Sequence, residues 1–206
     1  MTRALLLDLD RTLVDLQSFT DYAAAWEEVR AVADADSVMV PETDWDRPTQ
    51  ACMSTLVAVA GTPIWQQASD AIAGFERRAI PSSIAMPTLE QARDTWAGHP
   101  VAVITLLPSD VAREVLAHHG VEIEVIIGRD PLVRPKPHGD GLRRACELLG
   151  VTPGVATMVG DATWDLAAAH DAGTAFLGVP FTPDAFPEGT AIAGSLHEAV
   201  LATLGG

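Results

Sequence analysis

Between residues 101 and 179 the chain alternates short apolar runs with stretches of helical spacing, and few architectures can accommodate that order. "VAVIT" (101–105), "VEIEVIIG" (121–128), "VATMVGD" (155–161) and "TAFLGV" (174–179) read as strands. "SDVAREVLAHHG" (109–120), "GDGLRRACELLG" (139–150) and "TWDLAAAHDAG" (163–173) read as the helices between them. Apolar strands joined by helices imply βαβ units and a parallel sheet covered on both faces. An earlier β run, "RALLLDL" (3–9), belongs to the same sheet, and a weak strand near 191–193 and a helix at 196–204 close the chain.

The segment between the first run and residue 101 has a different pattern. Helices are expected at 19–33 with Thr20 as N-cap, at 49–60 with Thr49 as cap, and at 62–79 with Thr62 as cap and Pro63 at the first position. Residues 34–48 read as a loop, "PSSIAMP" as a break, and Thr88 as the start of a helix to about 97. Three helices are too many for one crossover. The expectation is therefore an α/β Rossmann-like three-layer sandwich made of residues 1–15 and 88–206, with an inserted all-helical cap at 16–87.

Composition narrows the function. With 206 residues, 48% of them hydrophobic, the chain can bury one good core and a small accessory domain. A net charge of −15 argues against nucleic acid or an anionic membrane as partner. No apolar run reaches the ~18 residues needed to span a bilayer, and "MTRALLLDLD" is too short and wrongly flanked for a signal peptide. Cys52 and Cys146 have no neighbouring cysteine and read as buried thiols of a cytoplasmic protein. No feature points to an oligomeric state.

Ligands of open α/β sheets bind outside the carboxyl ends of the strands. The first strand ends at Asp8 with Asp10 just beyond, Thr105 ends "VAVIT", and the strand at 155–161 ends in "GDATWD", which gives Asp161 and Asp165. The chain's only lysine, Lys136, stands in the loop "RPKPHG". Carboxylates gathered at one edge repel each other, which a hard divalent cation such as magnesium relieves. A lysine and a hydroxyl beside them suit a phosphoryl group. One carboxylate can then attack phosphorus to form an aspartyl-phosphate, while a second serves as acid and base.

These residues resemble the motifs of the haloacid dehalogenase (HAD) superfamily, in its phosphoglycolate-phosphatase-like group with a helical cap. DxDxT is matched by Asp8, Asp10 and Thr12; the apolar strand ending in Ser or Thr by Thr105; Lys-Pro by Lys136 and Pro137; and GDxxxD by Gly160, Asp161 and Asp165. The resemblance implies a magnesium-dependent phosphatase acting on a small phosphorylated molecule. Asp8 is then the nucleophile and Asp10 the acid/base. Magnesium lies on Asp8, the Asp10 carbonyl and Asp161, with Asp165 in or near its shell. Thr105, the Leu106 amide and Lys136 hold phosphate. Asp165 also reads as a first-turn helix acid, Thr12 as a brace and Asp15 as a local cap.

The chain departs from the family pattern in several places. Arg11 stands where Gly is usual, Leu106 where Asn or Gly is common, Gly139 where Pro is usual and Ala162 where Ser is frequent. Arg11, Arg47 and Trp45 are the candidate substrate contacts, with surface exposure the competing reading for Arg47. The alternatives are a sugar-phosphate mutase of the same fold, which uses basic cap residues that 16–87 lacks apart from arginine, and a non-catalytic phospho-ligand-binding module.

Overall fold

β1 (Ala4–Leu7) is buried along its whole length because both faces of its sheet are covered. In this computed structural model, which describes residues 3–32, 45–130 and 133–205, β1 is the centre of a five-stranded sheet. Its partners are β4 (Val101–Ile104), β5 (Val125–Ile127), β6 (Ala156–Gly160) and β7 (Ala175–Gly178), all parallel, in the order β5-β4-β1-β6-β7. Side chains alternate across the sheet. Leu5 and Leu7 face a layer built from α4 (Leu89–Trp96), α5 (Ser109–His118) and α8 (Leu196–Leu204). Ala4 and Leu6 face α6 (Asp140–Leu149) and α7 (Thr163–Ala172). This is the expected three-layer sandwich. The order places β1 beside β6, so the ends of the two aspartate-bearing strands are neighbours.

The helical insertion is also present. α1 (Tyr22–Val32), α2 (Arg47–Val59) and α3 (Trp65–Ala79) pack around their own apolar cluster, including Ala25, Val29, Leu56, Trp65 and Ile72. Two side chains from the sandwich join that cluster, the buried Trp164 at the start of α7 and the half-buried Leu106. Burying the large indole of Trp164 there ties the insertion to the edge of the sheet that carries the acids.

Several boundaries differ from expectation. The first helix is capped by Asp21, whose Oδ1 accepts from the Ala24 amide, while the Thr20 hydroxyl turns back to the Leu16 carbonyl. The second is capped by Asp46, which accepts from both the amide and the hydroxyl of Thr49. The third starts at Trp65, and Thr62 donates to the Val59 carbonyl instead of capping. Thr88 precedes α4 with φ 65°, and its hydroxyl accepts from the His197 amide. Within "PSSIAMP", Ile84–Ala85 forms β3, paired antiparallel with β2 (Val14–Asp15) to make a ribbon at the stem of the insertion. Two-residue strands are too short to leave a period in the sequence. The strand expected at 121–128 shrinks to Val125–Ile127, and the one near 191–193 is a single bridge from Ile192 to Gly178. Of the expected 34–48 loop, residues 34–44 lie outside the described residues.

Candidate active site

Asp8 is the first residue beyond β1, and its amide still donates to the Val159 carbonyl of β6. That bond fixes the side chain over the crevice between the two strands. Asp8 Oδ1 accepts from Lys136 Nζ at 2.5 Å, and Oδ2 from the Thr12 hydroxyl at 3.2 Å. Lys136 also donates to Asp165 Oδ1 at 2.6 Å. The other oxygen of Asp165 accepts from the Ala162 amide at the start of α7. Asp165 is therefore a first-turn acid that caps α7, and its second oxygen lies beside Lys136. A side chain at position 160 would collide with the Asp165 carboxylate, 2.4 Å from where a Cβ would stand, so the glycine of GDxxxD makes room for that acid. Gly139 has a similar explanation, since a Cβ there would lie 2.5 Å from the Ala172 amide nitrogen at the end of α7.

Asp8, Asp161 and Asp165 each bring a carboxylate oxygen to within 4.8 Å of the others, and all three are buried. Burial raises the Asp8 carboxyl to about 6, with Lys136 opposing and Asp165 adding to the rise. Burial, then Asp8, Asp165 and Asp10, push Asp161 well above the ordinary carboxylate range. Burial works against the Lys136 charge, but Asp165 and Asp8 outweigh it and hold the ammonium above its ordinary value. A single ammonium does not balance so many acids, and a buried, all-oxygen, multiply acidic donor set fits a hard divalent cation.

Asp10 is placed differently. It is half-buried at the exit of the strand, and its Oδ1 accepts two 2.9 Å bonds, from the Leu16 and Gln17 amides. Burial raises its carboxyl to about 7 against those two amides, with Asp8 and Asp15 adding to the rise. A carboxyl that titrates near neutrality can give and take a proton in one cycle. Asp15 caps locally, as expected, accepting from the Ser18 amide. The Thr105 hydroxyl accepts from the Leu107 amide at 3.2 Å, which leaves its own proton for another acceptor.

The acids open into a small cavity, with about 40 Å³ of room for the centres of water-sized molecules. Its floor includes Asp8, Asp10, Thr105, Leu106, Lys136 and Asp161. Its roof is supplied by the insertion, through Gln17, Tyr22, Trp45, Thr49, Met53 and Glu76. Trp45, the aromatic candidate, is among the residues that line the cavity. Arg11 and Arg47 are not among the lining residues. Arg47 is exposed in the first turn of α2, and Arg11 stacks on Phe181, its guanidinium carbon 4.4 Å from the ring centroid, with Asp15 at 4.0 Å.

Arg11 has φ 61°, the left-handed region that suits glycine. An L side chain there costs about 1–2 kcal/mol, which the Phe181 stack and the partner Asp15 offset in part. Arg11→Ala keeps the strain and loses the contacts, whereas Arg11→Gly loses both. The glycine variant is therefore expected to be the more stable of the two by about 1 kcal/mol in urea unfolding. Equal stabilities, or the reverse order, would show that the backbone conformation carries no strain.

Other site residues left weaker traces in the sequence. Arg129 follows β5 and is buried, and its guanidinium forks onto the two oxygens of Glu76 on α3 at 2.8 Å each. Tyr22 donates to the same carboxylate. Glu76 falls on the buried face of α3 with Ala68, Ser69, Ile72 and Ala73, and a charge on such a face needs a partner. Arg129 stands at the end of a strand, where ligand-side residues gather.

The family model for haloacid dehalogenase-like hydrolases matches residues 2–173. A phosphoglycolate phosphatase of Cupriavidus necator is 31% identical over 182 residues, covering 82% of this chain and 77% of the relative. A validoxylamine A 7'-phosphate phosphatase of Streptomyces hygroscopicus is 30% identical over 195 residues, covering 90% and 89%. Other relatives match less of their length; the phosphoglycolate phosphatase of Neisseria meningitidis is 40% identical over 86 residues, which is 41% of this chain and 37% of that protein. Among solved structures, CbbY from Rhodobacter sphaeroides in complex with phosphate shares the fold over 100% of both chains, with TM-score 0.73 and 21% identity. The chain belongs to the haloacid dehalogenase-like hydrolases, in the group that resembles phosphoglycolate phosphatase, and it is a phosphatase. No helix among the described residues is long and apolar enough to cross a membrane.

Proposed function

We propose that the protein is a magnesium-dependent phosphatase that hydrolyses a small phosphomonoester through an aspartyl-phosphate on Asp8. The observation that carries this reading is the contrast between two adjacent carboxyls. Asp8 is oriented by Lys136 and Thr12, while Asp10 is held by two amides with its carboxyl near neutrality.

In this reading Asp8 Oδ attacks phosphorus as the bond to the ester oxygen breaks, and that oxygen leaves with the proton of Asp10. Asp10, now ionised, takes a proton from the water that attacks the aspartyl-phosphate, and Asp8 is regenerated with release of phosphate. Thr105, the Leu106 amide and Lys136 hold the phosphoryl oxygens. Asp8, the Asp10 carbonyl and Asp161 would hold magnesium, with Asp165, which also accepts from Lys136, in or near its shell. Bound there, the ion supplies positive charge against the phosphoryl oxygens. The boundaries of the cap at 16–87 and of the core at 1–15 and 88–206 belong to the same proposal. So does a cytoplasmic location, supported by two buried, unpaired cysteines. The two relatives matched over most of their length are named for different esters, phosphoglycolate and validoxylamine A 7'-phosphate, so the class they share is a small phosphorylated organic molecule.

Phosphate release from a panel of monophosphates, with magnesium and with a chelator, tests the reading; release that is indifferent to the chelator would sink the metal's part. A second expectation concerns pH. The folded carboxyls of Asp8 and Asp10 titrate at about 6 and about 7, above the 3.8 of an unfolded Asp. In that window the folded state holds protons that the unfolded chain has released, so without metal this cluster loses stability as pH rises. Metal binding needs the ionised carboxylates. Saturating magnesium is expected to raise the melting temperature by about 5–10 °C near pH 8 and by much less near pH 5. An equal rise at both pH values would show that these carboxyls do not bind it.

A further inference from the structure

We infer that the substrate's alcohol portion is a hydroxyl-bearing ring without a second anionic group, recognised by the Trp164 indole and the aromatic roof; this rests on the phosphatase reading above. Three independent features point there.

The first is an unsatisfied donor. Trp164 is 2% exposed, lines the cavity, and its Nε1–H has no acceptor among the described residues. A buried N–H left unpaired costs about 1–3 kcal/mol, so a ligand oxygen placed against it gains a bond and removes a penalty. The second is the shape and chemistry of the walls. The rings of Trp45 and Trp164 lie 4.8 Å apart at 53°, with Met53 and Tyr22 on the same roof. Such walls favour a saturated ring that shows a C–H face to the indoles and hydroxyls at its edge.

The third is charge. Among the described lining residues Lys136 is the only cation, and its ammonium already serves Asp8 and Asp165. The nearby cation Arg129 is fully engaged. Its five N–H donors go to Ser69 Oγ, Ser69 carbonyl, both oxygens of Glu76 and the Leu106 carbonyl. The cap arginines point elsewhere: Arg30 pairs with Glu27, Arg77 with Asp110 and Glu114, Arg78 stacks on Phe75, and Arg47 is exposed. Residues 33–44 contain no Lys, Arg or His in the sequence. A carboxylate or second phosphate on the leaving group would thus face Glu76 and Asp10 with no cation to receive it.

The test compares kcat/KM for inositol monophosphate and glucose monophosphate with phosphoglycolate, a sugar bisphosphate and phosphocholine, all with magnesium. A ring monophosphate is expected to exceed phosphoglycolate and the bisphosphate by about tenfold or more, the range expected when a site leaves a charge unpaired. Trp164→Phe keeps the ring and removes the donor; the ring-to-phosphoglycolate ratio is expected to fall about fivefold, within the range of one lost hydrogen bond. Because the ratio is taken within one preparation, a partly unfolded variant does not alter it. A preference for phosphoglycolate or the bisphosphate overturns the inference, and so does a preference for phosphocholine or a ratio unmoved by Trp164→Phe. Binding of the same esters to Asp8→Asn, followed by intrinsic tryptophan fluorescence, decides the inference apart from turnover. If no ester is hydrolysed, the phosphatase reading fails, and the order of binding still supports or overturns this one.

Discussion

Asp8→Asn is expected to fold normally and to release phosphate on the order of 10³–10⁶-fold more slowly than the parent, the loss that accompanies removal of a nucleophile. The amide cannot form the acyl-phosphate, so the effect should fall on kcat and leave substrate affinity close to the parent's. Stability should be kept because the site is over-supplied with negative charge. Asp8 is one of the groups that drive Asp161 upward, and making it neutral relieves Asp161 and Asp10 alike. Lys136 retains Asp165 at 2.6 Å, so its ammonium is not left alone. The measurement is single-turnover phosphate release beside a thermal melt. A variant with unchanged melting and a loss below about tenfold in kcat would show that Asp8 acts as a ligand and not as the nucleophile. Thr12→Val is the milder companion, because it removes one 3.2 Å bond to Asp8 and leaves the carboxylate in place.

The sandwich was legible in the sequence because its signals are local. Each strand is a short apolar run covered on both faces, and each interior helix fits a simple crossover. The floor of the site followed from position alone, since Asp8, Thr105 and Asp161 all stand at carboxyl ends of parallel strands. Helix starts were harder, because Asp and Thr sit side by side at Thr20–Asp21 and close together at Asp46 and Thr49. Either residue type can cap, and only the backbone decides which does. The role of Arg11 was not legible, since its partner Phe181 is far along the chain. The roof was the least visible. Arg129 and Glu76 are 53 residues apart, and neither belongs to a motif. Trp164 occupies an x position of GDxxxD, so the motif itself places no demand on the indole between its acids.

The Arg129–Glu76 pair is expected to be the most destabilising of these positions to break. Both side chains are fully buried, and they join α3 of the cap to the loop after β5. Arg129→Met leaves the Glu76 carboxylate buried with only the Tyr22 hydroxyl as partner. Removing one member of a buried ion pair costs about 3–5 kcal/mol, which for a chain of this size lowers the melting temperature by about 6–20 °C. Glu76→Leu strands the guanidinium with its bonds to Ser69 and the Leu106 carbonyl, and should cost a similar amount. The double variant is expected to recover much of the loss, since two apolar side chains of similar volume replace two charges that no longer require each other. The coupling has a kinetic counterpart. Arg129 Nη1 holds the Leu106 carbonyl at 2.8 Å, beside the amide proposed to receive phosphate. The double variant should therefore regain stability without regaining its parent's KM for phosphoester. Urea unfolding and steady-state kinetics on the single and double variants separate these effects. Additive stability losses would mean that cap and core are held together by their apolar contacts, and a parental KM in the double variant would remove Arg129 from the support of the phosphate loop.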